Sequence, residues 1–198
     1  MASSDTPPLT DLAFSDSVKA MQKLLGSREQ MARLEAAGRW RQEIDDNLAA
    51  FISGRKSFYF GTSSTDGRPY IQHRGGDAGF ITMPDSTHLE FADYKGNRQY
   101  ISLGNLDENP KAFIFMMDYL NKTRIKFWGK AALKYTTTGA RFIRFTIQAW
   151  DVNCKQYIPD LVDGDSVREA LTELKERNLA LEKELDLLRA SKVLPSGL

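Results

Sequence analysis

Ser57-Phe58-Tyr59-Phe60-Gly61-Thr62, Asp66-Gly67-Arg68-Pro69 and Tyr70-Ile71-Gln72-His73-Arg74 read as two strands joined by a turn. Aromatic residues suit a pleated, half-buried surface, and an Asp-Gly pair before proline supplies turn geometry, so the stretch predicts a β-hairpin. Further strands are predicted at 79–83, 88–93, 112–118, 124–135 and 141–150, with Pro84-Asp85-Ser86 as one of the turns. Short strands at about ten-residue spacing predict a small antiparallel barrel, because a parallel sheet needs helices between its strands. Two strands show their faces. Ile125 and Phe127 alternate with Arg124, Lys126 and Trp128, while Ile143, Phe145, Ile147 and Ala149 alternate with Arg144, Thr146, Gln148 and Trp150.

The flanks have a different period. Residues 1–13 are polar and proline-bearing and read as a disordered tail. Phe14, Val18, Met21 and Leu25 share a helical face that ends at Gly26. Ser27 with Gln30 has capping-box spacing for a second helix through Ala37, closed by Gly38, and 44–52 predicts a third. The organisation is therefore N-terminal helices over 14–54, a barrel over 55–160 and a C-terminal helix over 164–190, a mainly β chain with flanking helices (α+β). That last helix opens with Ser166 and Glu169 at capping-box spacing. It carries a heptad with Leu171, Asn178 and Leu185 at a, and Val167, Leu174, Leu181 and Leu188 at d. A parallel partner would set Arg177 against Glu182 and Glu184 against Arg189. The alternative is an amphipathic helix packed on its own domain, which Leu179 and Leu187 off the seam favour.

Composition narrows the function. The 198 residues include one cysteine and two histidines, which excludes a disulfide framework and Cys- or His-rich metal sites. Lys plus Arg number 27 against 26 Asp plus Glu, so no global charge draws the chain to nucleic acid or an anionic membrane. No apolar run is long enough to span a bilayer and the start lacks signal-peptide character, so a cytoplasmic location is expected. No Gly-x-Ser-x-Gly, Gly-x-Gly-x-x-Gly or Walker sequence is present. What remains is local. His73-Arg74-Gly75-Gly76 ends one predicted strand, and Asp93-Tyr94-Lys95-Gly96-Asn97-Arg98-Gln99 leaves another just before a short helix. Guanidinium forks, a helix start and close-approach glycines suit a phosphate; the plainer reading is two turns with solvated arginines.

Read in order, the run 66–76, Gly79-Phe80-Ile81, Phe91-Ala92-Asp93-Tyr94, Gly96-Asn97-Arg98-Gln99, Gly104-Asn105-Leu106, Asn109-Pro110 and Ala149-Trp150-Asp151-Val152-Asn153-Cys154 resembles the pyridoxamine 5′-phosphate oxidase-like family of FMN-binding split barrels. The resemblance implies a homodimer with two FMN sites at the subunit interface. Gln72, His73, Arg74 and Gly75 would lie along the isoalloxazine edge and ribityl chain, and Arg98, with Asn97 and Gln99, would hold the phosphate; Gly76, Asp93 and Tyr94 are further cofactor-binding candidates. Trp150 and Arg124 would come from the other subunit. Gln99 stands where the true oxidase has a lysine, and the oxidase's C-terminal Arg/His substrate segment has no counterpart, which points to the flavin-reductase-like branch. The expectation is an FMN-dependent oxidoreductase acting with a small-molecule electron donor or acceptor. A non-enzymatic flavin-binding protein and a haem-binding split barrel are the alternatives, and the residues name no catalytic acid or base.

Overall fold

A computed structural model of the chain describes residues 7–152, 156–159, 161–162 and 164–192. Among them the strands β1 (Ser57–Ser63), β2 (Pro69–Gly75), β3 (Ile81–Asp85), β4 (His88–Ala92), β5 (Lys111–Asp118), β6 (Thr123–Tyr135) and β7 (Arg141–Val152) form one antiparallel sheet. Its order is β2-β1-β5-β6-β7-β4-β3. Although three strands separate β1 from β4 in that order, Phe58 and Phe60 meet Phe91 edge-on with ring centroids 4.9 and 5.4 Å apart. The sheet therefore curls until its inner face closes on itself, leaving β2 and β3 as the unpaired edges of a split barrel. Phe58, Phe60, Ile114, Met116, Phe127 and Phe145 fill it, fully buried. Each such side chain contributes about 1.5–3 kcal/mol. Helix α3 (Asp46–Ser53), following the N-terminal helices α1 (Asp16–Leu24) and α2 (Arg28–Ala36), adds Leu48 and Ile52 to this core. Asp45 caps α3 by accepting from the Leu48 amide at 2.8 Å.

Three expectations are corrected. Residues 9–12 are not a loose tail but a 3-10 turn (Leu9–Leu12) with Thr10 buried. Asp11 pairs with Lys19 at 2.6 Å, and Phe14 leans on Trp40, which stacks on Trp128 of β6 at 4.4 Å; these contacts pay for ordering the segment. The capping box at Ser27 does not form. Its backbone is already helical and its hydroxyl donates to the Gln22 carbonyl, because the turn from α1 into α2 holds it there.

The third correction concerns Trp150. Phe127 pairs with Trp150 and Trp128 with Ala149, but Gly129 pairs with Ile147, so Gln148 is an extra residue in β7. This bulge reverses the alternation after Ile147 and turns Trp150 onto the inner face beside Phe127. Trp150 is 6% exposed and its indole Nε1 donates to the Glu43 carbonyl at 2.9 Å. Trp150→Phe is expected to cost about 1 kcal/mol through the carbonyl left unpaired, and to lower Tm by about 2–4 °C. An unchanged Tm would show that the bond contributes nothing.

The β3–β4 turn supplies a pH test. Asp85 lies 2.8 Å from His88 Nδ1 and accepts from the Thr87 amide at 2.7 Å and the Thr87 hydroxyl at 2.8 Å. These bonds, the one to His88 foremost, lower its carboxyl from 3.8 to about 2. A depressed carboxylate stabilises the fold above its unfolded value and loses that effect as pH falls through the folded value. Asp85→Asn should therefore lower Tm at pH 6, with the gap closing near pH 2; a gap equal at both would contradict this assignment.

The chain divides into two compact units, Met1–Asp118 with Lys122–Tyr157, and Tyr119–Asn121 with Ile158–Leu198. The second contains helix α5 (Gly164–Lys192). Asn153 and Cys154, at the end of the family-like run, lie outside the described residues. No described helix is long and apolar enough to cross a membrane.

Candidate functional site

Where the sheet closes on itself, Arg74 reaches from β2 to the residue that follows β4. Its guanidinium donates to Asp93 Oδ1 at 3.1 Å, while Arg141 of β7 sits 3.2 Å from the other carboxylate oxygen. The Arg74 and Asp93 side chains are 11% and 5% exposed. One carboxylate between two guanidinium groups leaves a positive charge uncompensated, and Arg74 Nε is buried with no hydrogen-bond partner. An unpaired buried donor costs about 1–3 kcal/mol, a cost that an acceptor reaching it would remove; Asp93 Oδ2 is likewise buried without a hydrogen-bond partner.

Over this floor the chain passes from Tyr94 to Tyr100 into helix α4 (Ile101–Glu108). Gly96, Arg98 and Tyr100 are all left-handed, with φ of +46°, +61° and +52°. For Arg98 and Tyr100 that conformation costs about 1–3 kcal/mol each. The Arg98 amide donates to the Lys95 carbonyl at 3.2 Å and the Gln99 amide to Asn97 Oδ1 at 3.1 Å, which coils the loop tightly. Tyr100, the N-cap of α4, makes no side-chain cap bond, so no cap competes with an anion for the opening amides of the helix. The loop, the first turn of α4, Gln72 and Arg74 line a polar crevice of about 30 Å³. Arg98 and Lys95 are exposed at its mouth, where the charge and polar lining suit a small anionic group.

The crevice brings together Gln72, Arg74, Asp93, Tyr94, Asn97, Arg98 and Gln99. The other sequence-selected residues stand elsewhere. His73 projects from the opposite face of β2, exposed and edge-on to Tyr59 with ring centroids 5.7 Å apart. Gly75 and Gly76 end the strand; the Gly76 amide donates to the Lys56 carbonyl at 3.0 Å, and a Cβ there would lie 2.8 Å from the Phe80 side chain. Close packing is thus the reason for Gly76. Arg124 is on the outer face of β6 with its Nε buried and unbonded, and Trp150 is in the core. Three contributors were missed. Tyr70 shares the period-two face of Gln72 and Arg74 and was legible, Ser102 donates to Gln72 Oε1 at 3.0 Å from the first turn of α4, and Arg141 arrives through the pairing of β7 with β4, which no local pattern announces.

A second feature lies on the outer face of β2, β1, β5 and β6. Tyr59, Ile71, Phe113, Phe115 and Trp128 line an apolar groove of about 760 Å³, and Ile71 is 68% exposed. On the same side of the sheet, Lys126 of β6 faces Asp151 of β7 across the strands. Burial lowers the lysine pKa and raises that of the aspartate, and their attraction only partly opposes this.

Residues 44–160, more than half of the chain, match the family model described as pyridoxamine 5′-phosphate oxidase. The chain belongs to this family. The match to the pyridoxamine 5′-phosphate oxidase family takes in all seven strands, α3, α4, the crevice and the groove, while α1, α2 and α5 lie outside it. Among solved structures the chain is similar to a putative pyridoxamine 5′-phosphate oxidase from Lactobacillus delbrueckii, at 16% identity and TM-score 0.43 over 56% of this chain and 94% of that one. It is also similar to HupZ of Group A Streptococcus, at 12% and 0.46 over 60% and 99%. A third is HutZ of Vibrio cholerae, described as a haem storage protein, at 13% and 0.40 over 53% and 90%. No curated protein matches the chain in sequence.

Proposed function

We propose that the chain is an FMN-binding oxidoreductase that works as a homodimer, with the flavin phosphate at the crevice between β2 and α4. The carrying observation is the unpaired, buried Arg74 Nε beside a left-handed loop and an uncapped helix start, inside the segment that matches the family. The surplus positive charge of Arg74, Arg141, Arg98 and Lys95 over Asp93 favours a phosphate over a neutral group.

FMN, when bound, supplies hydride or electron transfer; the protein supplies binding and orientation. Arg98 and the opening amides of α4 hold the phosphate, Asp93 keeps Arg74 aimed at it, and Gln72, fixed by Ser102, borders the path away from it. The apolar outer groove supports the dimer, since an exposed face of this size without charged lining, apart from Lys111 at its end, suits contact with a second copy.

The test is the absorption spectrum of the purified full chain, before and after adding FMN and desalting. Retained flavin bands support the reading, and a protein that keeps no flavin at micromolar concentration contradicts it. Oxidation of NADH or NADPH by the loaded protein then separates an oxidoreductase from a flavin store, which holds FMN without turnover.

A further inference from the structure

Helix α5 lies beyond the family match, which ends at residue 160. Its 29 residues extend about 43 Å at 1.5 Å per residue. All of its described residues from 164 to 190 are exposed, among them a row of large apolar side chains. Val167, Leu171, Leu174, Leu181, Leu185 and Leu188 are 40–56% exposed. They recur alternately at four- and three-residue steps, interrupted once, by Asn178. A stripe of period 3.5 is narrower than the face with which a helix packs on a globular core, and it is the seam of a coiled coil.

We propose that α5 is a zipper which pairs in parallel and in register with α5 of a second copy of this chain. Two features name the occupant. The positions beside the seam are complementary between copies: Arg177 at g faces Glu182 at e of the other helix, and Glu184 faces Arg189, so the two flanks carry four opposite-charge pairs per dimer. Parallel in-register pairing also places Asn178 opposite Asn178, where the two amides bond to each other. An antiparallel pair, or a shift by one heptad, sets Asn178 against leucine and leaves its amide unpaired. The charges and the polar break therefore select the same alignment. Within one copy Arg189 is only 3.8 Å from Asp186 and 75% exposed, so that contact leaves it able to reach a partner glutamate.

This inference does not depend on flavin. Spin labels on the full chain decide it, with Cys154 replaced by serine and Glu169→Cys or Glu176→Cys introduced singly at exposed positions on the back of the heptad. Parallel helices 8–10 Å apart give about 15–25 Å between labels at both positions. An antiparallel pair centred on the seam keeps the Glu176 labels near each other and moves the Glu169 labels well apart, which overturns the alignment. Absence of a defined distance below about 40 Å at either position overturns the zipper itself. Leu174→Glu combined with Leu181→Glu should abolish the short distances without altering flavin binding. Loss of flavin binding with the zipper intact would instead tell against the proposed function.

Discussion

Arg98→Ala is expected to weaken FMN binding by roughly 10- to 100-fold and to leave riboflavin nearly unchanged. A hydrogen bond from a guanidinium to phosphate contributes on the order of 1.5–3 kcal/mol, and each 1.4 kcal/mol is tenfold in affinity. Arg98 is held at φ +61° in a loop that coils over the Arg74–Asp93 floor, so the strain of its backbone serves to place it at the crevice mouth. Riboflavin has the same ring and ribityl chain but no phosphate, and thus separates the crevice from the rest of the site. Arg68, 86% exposed and paired with Asp66 in the β1–β2 turn, is the control, and its alanine variant should bind both ligands as the parent does. Titrations in which Arg98→Ala loses both ligands equally would remove Arg98 from the phosphate site.

Gly129→Ala should cost about 3 kcal/mol and lower Tm by about 6–12 °C. A Cβ at this position would stand 2.2 Å from the Thr146 carbonyl oxygen and 2.6 Å from the Phe145 ring. The first is backbone held in the β6–β7 ladder and cannot move without breaking the bulge at Gln148. Because that bulge turns Trp150 inward, the same substitution should also expose the indole, visible as a red-shifted tryptophan emission. Gly104→Ala in α4 is the contrast: nothing lies within 4 Å of its Cβ, and alanine favours helix, so a neutral or stabilising effect is expected. A Gly129→Ala protein as stable as its parent would mean that the close approach across β6 and β7 is not made.

The hairpin of β1 and β2 was legible because aromatic spacing and the Asp-Gly-Arg-Pro turn agree, and each agrees with a barrel. The inner face of β6 was legible for the same reason, with Ile125 and Phe127 buried as their alternation demands. Trp150 was misplaced because one extra residue shifts everything after it to the other face, and Gln148 looks like any outward polar residue. The available sign was on the opposite strand: a glycine at 129, inside an otherwise continuous strand pattern, marks a bulge or a close approach. At the site, the loop 94–99 was legible because its residue types carry both the turn chemistry and the charge. His73 was selected with its neighbours although period two sets it on the other face from Gln72 and Arg74. Arg141 was beyond reach, since only the pairing of β4 with β7 brings it to Asp93.

The phosphorus NMR resonance of FMN tests the central claim most directly, because it reports the environment of the phosphate alone. With full-length protein in excess and the ring shown bound by its visible absorption, the resonance should shift, and Arg98→Ala or Arg74→Ala should largely reverse the shift. A resonance that stays at its free position while the ring is bound would place the phosphate in solvent and contradict a flavin held at the crevice between β2 and α4.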